Sequence, residues 1–369
     1  ARTSRLYREL PAAVGRIVSI EFKPYHLRLA VTYRWSKGVQ HYRDGLIARA
    51  EFGGEVGWGE VALPPHVVMP LAAHVALARA TVAGLDPASE SFLDDLELRE
   101  CSPRLRCGIA TAVLDVRARL RRVSLASLCA GWDGVAKRVP VNDLIGDADP
   151  DTCAERARAA VARGQDTIKV KCTPERTLDL ARVRAIRDAA PQAGLRLDPN
   201  ESWSPAWAAE HLEAMARFGI AYCEEPLPRG TPLPAYAELR QKTSVPIALD
   251  DSARSRYHVE RIIELGAADA LVLKAPRVGG PDRMAEIVRV AESAGLNCTV
   301  TASLETSVGL YAALHCAAFT SEPIPAAGIG TARYFAENVG PPPEIVDGEM
   351  ELPRGPGLGF APDEWWARA

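Results

Sequence analysis

Residues 194–224 contain Gly194-Leu-Arg-Leu-Asp198, then the helical segment Pro205–Phe218, then Ile220-Ala-Tyr-Cys-Glu224. Two short apolar runs, each ending in an acid and separated by a helix, make one βα unit with the start of the next. The pattern extends in both directions. Further strand-like runs lie at 139–142 (VPVN), 167–171 (TIKVK), 245–250 (VPIALD), 269–274 (DALVLK), 297–301 (NCTVT) and 326–329 (AAGI). Helical segments Thr152–Arg163, Pro174–Ala189 and Pro281–Ala294 fall between them. Eight strands alternating with helices over roughly 200 residues predict a (β/α)8-type barrel, a modified TIM barrel in an α/β chain.

The N-terminal part has a different rhythm. Arg16–Phe22, Leu27–Tyr33 and Gly45–Phe52 alternate as strands and are separated by Lys-Gly and Gly-Gly turn signals. Residues 68–85 and 103–130 then read as helices, the second with Ile109, Val113, Val116 and Leu120 at helical spacing. Strands followed by helices predict an α+β domain. The expected division is a capping domain over 1–130, a barrel over 131–349, and a tail, 350–369, that returns to the cap. The Pro/Gly-rich stretches Gly340–Pro343 and Pro353–Gly359 carry the chain away from the barrel, and Trp365 and Trp366 then either pack on the first domain or belong to a loose tail.

Composition excludes several classes. The chain has 369 residues, 47% hydrophobic and 25% charged, with a formal net charge of −3. That is an ordinary globular balance with no electrostatic footprint for nucleic acid. No apolar run approaches the roughly 18 residues that a membrane span needs; Val67–Leu77 is broken by Pro70 and His74. The start, Ala1–Arg8, is basic with no apolar region after it, so it does not read as a secretory signal. The eight cysteines form no C-x-x-C pair, which argues for free thiols in a reducing cytoplasm. No oligomeric state is read from the sequence.

The chemistry lies at the strand ends. Lys171, Asp198, Glu224, Asp250 and Lys274 each close a predicted strand, about one βα unit apart. In a barrel those ends ring one mouth, where active sites form. Lys169 and Lys171 are two residues apart and so share a strand face. A lone strand-end Asp is usually a helix cap, and a lone Lys a solvated charge; the joint spacing carries the reading. Asp198, Glu224 and Asp250 clustered without a cation would repel one another. An all-oxygen set with no histidine suits Mg²⁺, with Mn²⁺ as a substitute, rather than zinc. With three lysines added, the site is net positive and invites a small-molecule carboxylate substrate, whose α-proton the cation makes more acidic. A desolvated lysine near other cations can serve as the base. Glu225 and Asp251, pointing off the strand face, read as supports for the ligands.

These residues carry a resemblance. Ile168-Lys-Val-Lys171, Leu197-Asp-Pro-Asn200, Cys223-Glu-Glu-Pro226, Ala248-Leu-Asp-Asp-Ser252 and Val272–Gly280 resemble the enolase superfamily, in its muconate-lactonizing subgroup. Gly57-Trp-Gly-Glu60 is similar to that family's capping motif. Within the subgroup the o-succinylbenzoate synthases are most similar, through Arg196 two before Asp198, Thr301–Gly309, Arg43-Asp-Gly45 and Gly328-Ile-Gly-Thr331. Asp251 departs from the usual Glu, and Arg277-Val-Gly-Gly280 is closer to the racemase and lactonizing relatives.

The resemblance implies a metal held by Asp198, Glu224 and Asp250 and a syn dehydration in menaquinone biosynthesis. It also implies Lys171 as base and acid, Lys274 stabilising the enediolate from the opposite face, and Lys169 keeping Lys171 at low pKa. Arg43, Arg196, Asn200 and Ser303 are implied substrate contacts, and the loop Tyr33–Lys37 an implied cover for the mouth. Racemization of N-acylamino acids and muconate cycloisomerization are the alternatives within the subgroup. Dipeptide epimerization is disfavoured because Ala326–Arg333 lacks paired aspartates. A silent binding barrel would have lost one of these acids or lysines, and none is lost.

Overall fold

The computed structural model describes residues 19–35, 38–65, 69–146 and 149–368. The expectations for residues 1–15 and for the cover at Ser36–Lys37 fall outside the described residues, as do the side chains at 33–35 on which that cover also rests. Three antiparallel strands, β1 (Ser19–Trp35), β2 (Gly38–Phe52) and β3 (Glu55–Ala62), form the first sheet. The expected run at 27–33 and the described part of the run at 16–22, from Ser19 on, are one long strand, paired with β2 on both sides of an irregularity between Arg28 and Tyr33.

Helices α1 (Leu71–Val82), α2 (Phe92–Glu97), α3 (Pro103–Leu120) and α4 (Leu125–Ala130) follow. The single helix expected over 103–130 is therefore two. Arg122 takes a left-handed φ of 56°, Val123 N–H turns back to the Ala118 carbonyl at 3.0 Å, and the Ser124 hydroxyl accepts from Ser127 N–H at 3.0 Å to cap α4. That cap serves backbone donors the helix start cannot satisfy itself.

Helix α3 is buried over most of its length because it lies between two cores. Ile109, Val113 and Val116 face the first sheet with Leu46 and Phe52. Cys107, Leu114 and Ala118 join the barrel core. The close approach of β3 explains Gly57 and Gly59: a Cβ at Gly59 would stand 2.0 Å from the Gly108 carbonyl oxygen, and one at Gly57 2.2 Å from that of Ala112. Trp58 and Glu60 alternate to the other face.

Seven parallel strands curl into the barrel: β5 (Asp143–Ile145), β6 (Thr167–Lys171), β7 (Gly194–Asp198), β8 (Ile220–Glu224), β9 (Ile247–Leu249), β10 (Ala270–Leu273) and β11 (Asn297–Val300), in sequential order. The first barrel strand lies later than the expected 139–142. Its neighbour β4 (Arg138–Pro140) pairs instead with β13 (Glu349–Glu351), which also pairs with β12 (Ile345–Val346), in a separate antiparallel sheet. The eighth position is only a seam: Ala327 bridges Val141 and Gly328 bridges Thr301, both in parallel. Ala327 N–H donates to the Pro140 carbonyl at 2.7 Å and Gly328 N–H to that of Val300 at 2.9 Å, so the curl closes without a full strand. Helices α5 (Pro150–Ala162), α6 (Arg176–Ala189), α7 (Pro205–Ala216), α8 (Leu233–Gln241), α9 (Arg256–Leu265), α10 (Ala275–Val278), α11 (Pro281–Ser293) and α12 (Ser307–Ala317) connect and cover the strands.

The tail returns to the first sheet, where the Trp366 ring meets Trp58 edge-on at 5.2 Å. All eight cysteines are free thiols. Among the described residues no helix is long and apolar enough to cross a membrane. Buried His315 joins α12 to two other segments: its Nδ1 accepts from Ala126 N–H and its Nε2 faces the Leu358 carbonyl, each at 3.2 Å.

Two outcomes follow from this packing. Gly59→Ala is expected to lower unfolding stability by about 1–3 kcal/mol in chemical denaturation, since backbone must move to admit the methyl; an unchanged midpoint would contradict so close a β3–α3 contact. Burial pushes His315 down to about 4 from an ordinary 6.5, with its bond to Leu358 opposing. The unfolded chain therefore takes up this proton first, and the stabilisation is complete above pH 6.5 and lost as pH falls toward 4. The stability gap between the native chain and His315→Gln should accordingly shrink by up to roughly 3 kcal/mol from pH 7 to pH 4. A gap independent of pH would contradict a buried neutral imidazole.

Candidate active site

Lys171, Asp198 and Glu224 are the last residues of β6, β7 and β8, while Asp250 and Lys274 come one residue after β9 and β10. The parallel register sets Lys171 beside Asp198 and Lys169 beside Arg196. All five strand-end residues and Lys169 line one cavity of about 630 Å³ between the barrel mouth and the first domain.

The carboxylates are buried and each meets an amine. Lys169 Nζ lies 2.7 Å from Asp198 Oδ2 and 2.6 Å from Glu224 Oε2. Lys171 Nζ donates to the same Asp198 oxygen at 2.5 Å and to Asn200 Oδ1 at 2.9 Å. Lys274 bonds Asp250 Oδ2. Arg277 pairs with Asp251 and reaches Asp250 Oδ1 at 3.4 Å.

Their proton affinities diverge. Burial would raise Asp198, but Lys169 and Lys171 hold it well below the usual carboxylate range. Burial is likewise outweighed at Asp250, by Lys274 and Arg277, giving about 2. Glu224 goes up, through burial and the charges of Asp198 and Asp250, with Lys169 opposing. Lys169 and Lys274 go up despite burial, because carboxylates surround them. Lys171 alone of the three lysines goes down: burial and neighbouring Lys169 outweigh Asp198.

The backbone here is bent into less usual conformations. Asn200, Glu201 and Glu225 have positive φ of 51°, 61° and 39°, each of the kind that surrounding structure must hold in place. Asn200 N–H donates to Asp198 Oδ1 at 2.9 Å, and Glu201 N–H to the Glu225 carbonyl at 3.0 Å. The Glu225 carboxylate accepts from Asp250 N–H at 2.7 Å, from the Ser252 hydroxyl at 2.5 Å and from the Tyr236 hydroxyl at 3.1 Å. It supports the Asp250 backbone, as its position off the strand face suggested. Asp251 engages Arg277 and Arg229, and the same Arg277 guanidinium reaches Asp250, the partner of Lys274.

The other residues expected at the site also line the cavity. Arg196 stacks over Tyr222 at 4.9 Å and donates to the Ala326 carbonyl at 2.5 Å. Arg43, 2% exposed, donates to the carbonyls of Leu304 at 2.7 Å, Ser303 at 3.1 Å and Leu63. Ser303 stands in the loop after β11, and its N–H donates to Glu305 Oε2 at 2.6 Å.

The sequence reading missed what holds that loop. Glu60 accepts from Thr306 N–H at 3.0 Å, the Thr306 hydroxyl at 2.6 Å, Gly309 N–H at 2.9 Å and the Tyr25 hydroxyl at 2.6 Å. Its carboxylate therefore caps α12 from the first domain. The Gly57-Trp-Gly-Glu60 motif was visible, but its partner lies some 246 residues away. Arg104, on the cavity wall, had no sequence signal.

Asp198, Glu224 and Asp250 offer only carboxylate oxygens from three adjacent strand ends, a donor set suited to a hard divalent cation. Among the described residues no three His, Cys, Asp or Glu side chains already stand in metal-holding geometry. The Lys169 and Lys274 amines lie on those oxygens. The donor chemistry fits Mg²⁺.

Residues 152–366 match the family described as enolase C-terminal domain-like. Muconate cycloisomerase 1 of Rhodococcus opacus is 29% identical over 90% of this chain and 87% of its own. An o-succinylbenzoate synthase of Thermobifida fusca is 36% identical, over 57% of this chain and 65% of its own. Among solved structures, a dipeptide epimerase from Cytophaga hutchinsonii, complexed with Mg and the dipeptide D-Ala-L-Val, superposes with a TM-score of 0.82 at 25% identity, covering 93% of this chain and 95% of that one.

Proposed function

The chain belongs to the enolase superfamily, and on that premise we propose that it is an Mg²⁺-dependent o-succinylbenzoate synthase. The reaction is syn dehydration of SHCHC, a cyclohexadiene carboxylate bearing a succinyl arm, in menaquinone biosynthesis. The observation that carries a proton-abstraction site is the opposition of Lys171 and Lys274. Strands β6 and β10 are separated by β7, β8 and β9 on one arc and by β11, the 326–328 seam and β5 on the other. The two amines thus come from opposite walls of the barrel, with the carboxylates between them. The identity with o-succinylbenzoate synthases supports the substrate.

Asp198, Glu224 and Asp250 would hold the ion, which supplies positive charge to the substrate carboxylate and acidifies the adjacent C–H. Lys171 takes the α-proton from carbon; its lowered proton affinity leaves more free amine near neutral pH. The protonated Lys171 then returns that proton to the hydroxyl on the same face, which leaves as water while the ring becomes aromatic. Lys274, kept charged by Asp250 and Glu224, faces the anion from the other wall. Lys169 lies between Asp198 and Glu224 and lowers Lys171. Arg196 and Asn200 orient the substrate and Lys171.

The same opposition favours one second reading, racemization of N-acylamino acids, in which Lys171 and Lys274 exchange the proton from opposite faces.

Loss of SHCHC ultraviolet absorbance with purified protein and Mg²⁺ is the test. Turnover is expected, abolished by EDTA and lowered by about 10²–10⁴-fold in Lys171→Ala. Near-normal turnover by Lys171→Ala would remove the base assignment. No turnover by a folded, metal-bound chain would remove the substrate, and α-proton exchange in D₂O over N-acylamino acids would then decide the racemase reading.

A further inference from the structure

Lys274 and Arg277 are carried by one short element. Lys274 directly precedes α10, and its carbonyl accepts from Arg277 N–H at 2.8 Å and from Val278 N–H at 3.2 Å. The Arg277 guanidinium pairs with Asp251 and reaches Asp250. A helix of four residues has too few internal bonds to hold its own conformation. It ends at Gly279 and Gly280, both buried, with φ of 103° and 135°. Their N–H groups both donate to the Ala275 carbonyl at 3.0 Å. The group that grips this turn from outside comes from the first domain.

Arg106, on α3, is 6% exposed and uses all three guanidinium nitrogens. Its Nη1 donates to the Gly279 carbonyl at 2.7 Å and to Asp282 Oδ1 at 3.1 Å. Its Nη2 donates to Asp282 Oδ2 at 2.8 Å, and its Nε to Glu97 Oε2 at 2.8 Å. One side chain thus joins the end of α2, the turn that closes α10 and the first turn of α11. Burial alone would weaken its hold on the proton, but Asp282 and Glu97 outweigh that and keep it charged. A two-pronged contact with a carboxylate fixes direction as well as distance. The packing is close: a Cβ at Gly279 would stand 3.3 Å from Arg106 Cδ, and one at Gly280 2.9 Å from Asp282 Oδ1. Arg283 belongs to the same interface, but its ion pairs go to Glu97 and Glu286. A bridge that only joined the domains would need no more than such carboxylates. The bond to the Gly279 carbonyl puts Arg106 on the element that carries Lys274 and Arg277.

We propose that Arg106 is a positioning residue: through the Gly279 carbonyl and Asp282 it fixes α10, and with it the placement of Lys274 in the site. The two opposed amines are then set by different parts of the molecule. Lys171 is held by the barrel residues Asp198 and Asn200, whereas the backbone behind Lys274 is held from the first domain. Loss of Arg106 acts on the step in which Lys274 faces the anion and not on substrate affinity, so turnover falls while KM stays. The kinetic part of this assignment rests on the synthase reading above; the structural part does not.

The test makes two measurements on the Mg²⁺-loaded full chain: amide hydrogen exchange by mass spectrometry, and steady-state turnover of SHCHC. In Arg106→Gln the amides of residues 277–280 are expected to exchange about 10-fold faster, with the β8 amides unchanged. The same variant should lower kcat by about 10-fold and leave KM within about 2-fold. Arg106→Lys keeps the charge and loses the fork, and should recover only part of both effects. Arg283→Gln removes a neighbouring ion pair of the same interface and should leave both at native values. Unchanged exchange at 277–280, exchange raised equally along the whole chain, an unchanged kcat, or the same effects from Arg283→Gln would each overturn the proposal. Should Arg106→Gln fail to fold, Arg106→Lys carries the comparison. Exchange needs no substrate, so the two readings separate. A native chain that leaves SHCHC intact loses the synthase assignment, and the exchange result then decides Arg106.

Discussion

Three carboxylates buried at neighbouring strand ends demand compensating charge, and much of the site's arrangement follows from that demand. Lys169 lies between Asp198 and Glu224, and Lys274 lies on Asp250. Removing either amine would leave uncompensated charge in a poorly solvated place. The compensation is uneven. Lys169 and Lys274 are strongly held as cations, whereas Lys171 shares an Asp198 oxygen with Lys169 and is left the weaker base of the three. A cluster of three acids and three lysines thereby contains one amine able to give up its proton.

Backbone geometry serves the same cluster. Left-handed turns at Asn200, Glu201 and Glu225 are held by hydrogen bonds to Asp198, to the Glu225 carbonyl and to the Asp250 backbone. The first fixes the end of β7 on itself, and the other two fix a strand end against its neighbour. The carboxylates are thus oriented by bonds within the βα loops as well as by the strands. The Asp251–Arg277 pair adds support at the Asp250 end.

The cavity is a joint product of barrel and first domain. Glu60 reaches from β3 to cap α12, which holds the Ser303–Thr306 loop against Arg43. A Cβ at Gly309 would stand 2.8 Å from a Glu60 oxygen, so a glycine there lets the carboxylate reach the backbone. Helix α3, buried on both sides, joins the two cores and brings Arg104 to the wall.

The alternation of short apolar runs with helices, and the charges closing those runs, follow from local rules: a side-chain period of two and a βα repeat of about 26 residues. They made the barrel and the ring of Lys169, Lys171, Asp198, Glu224, Asp250 and Lys274 legible in the sequence alone. Element ends were less so. Val139 belongs to a sheet with Met350, and 326–328 is a seam rather than a strand, because both are settled by partners distant in the chain. The Glu60 cap on α12, the place of Arg104 on the cavity wall and the unequal proton affinities of the three lysines depended on tertiary structure for the same reason. Burial and Coulomb interactions act through space, between side chains that no local spacing relates.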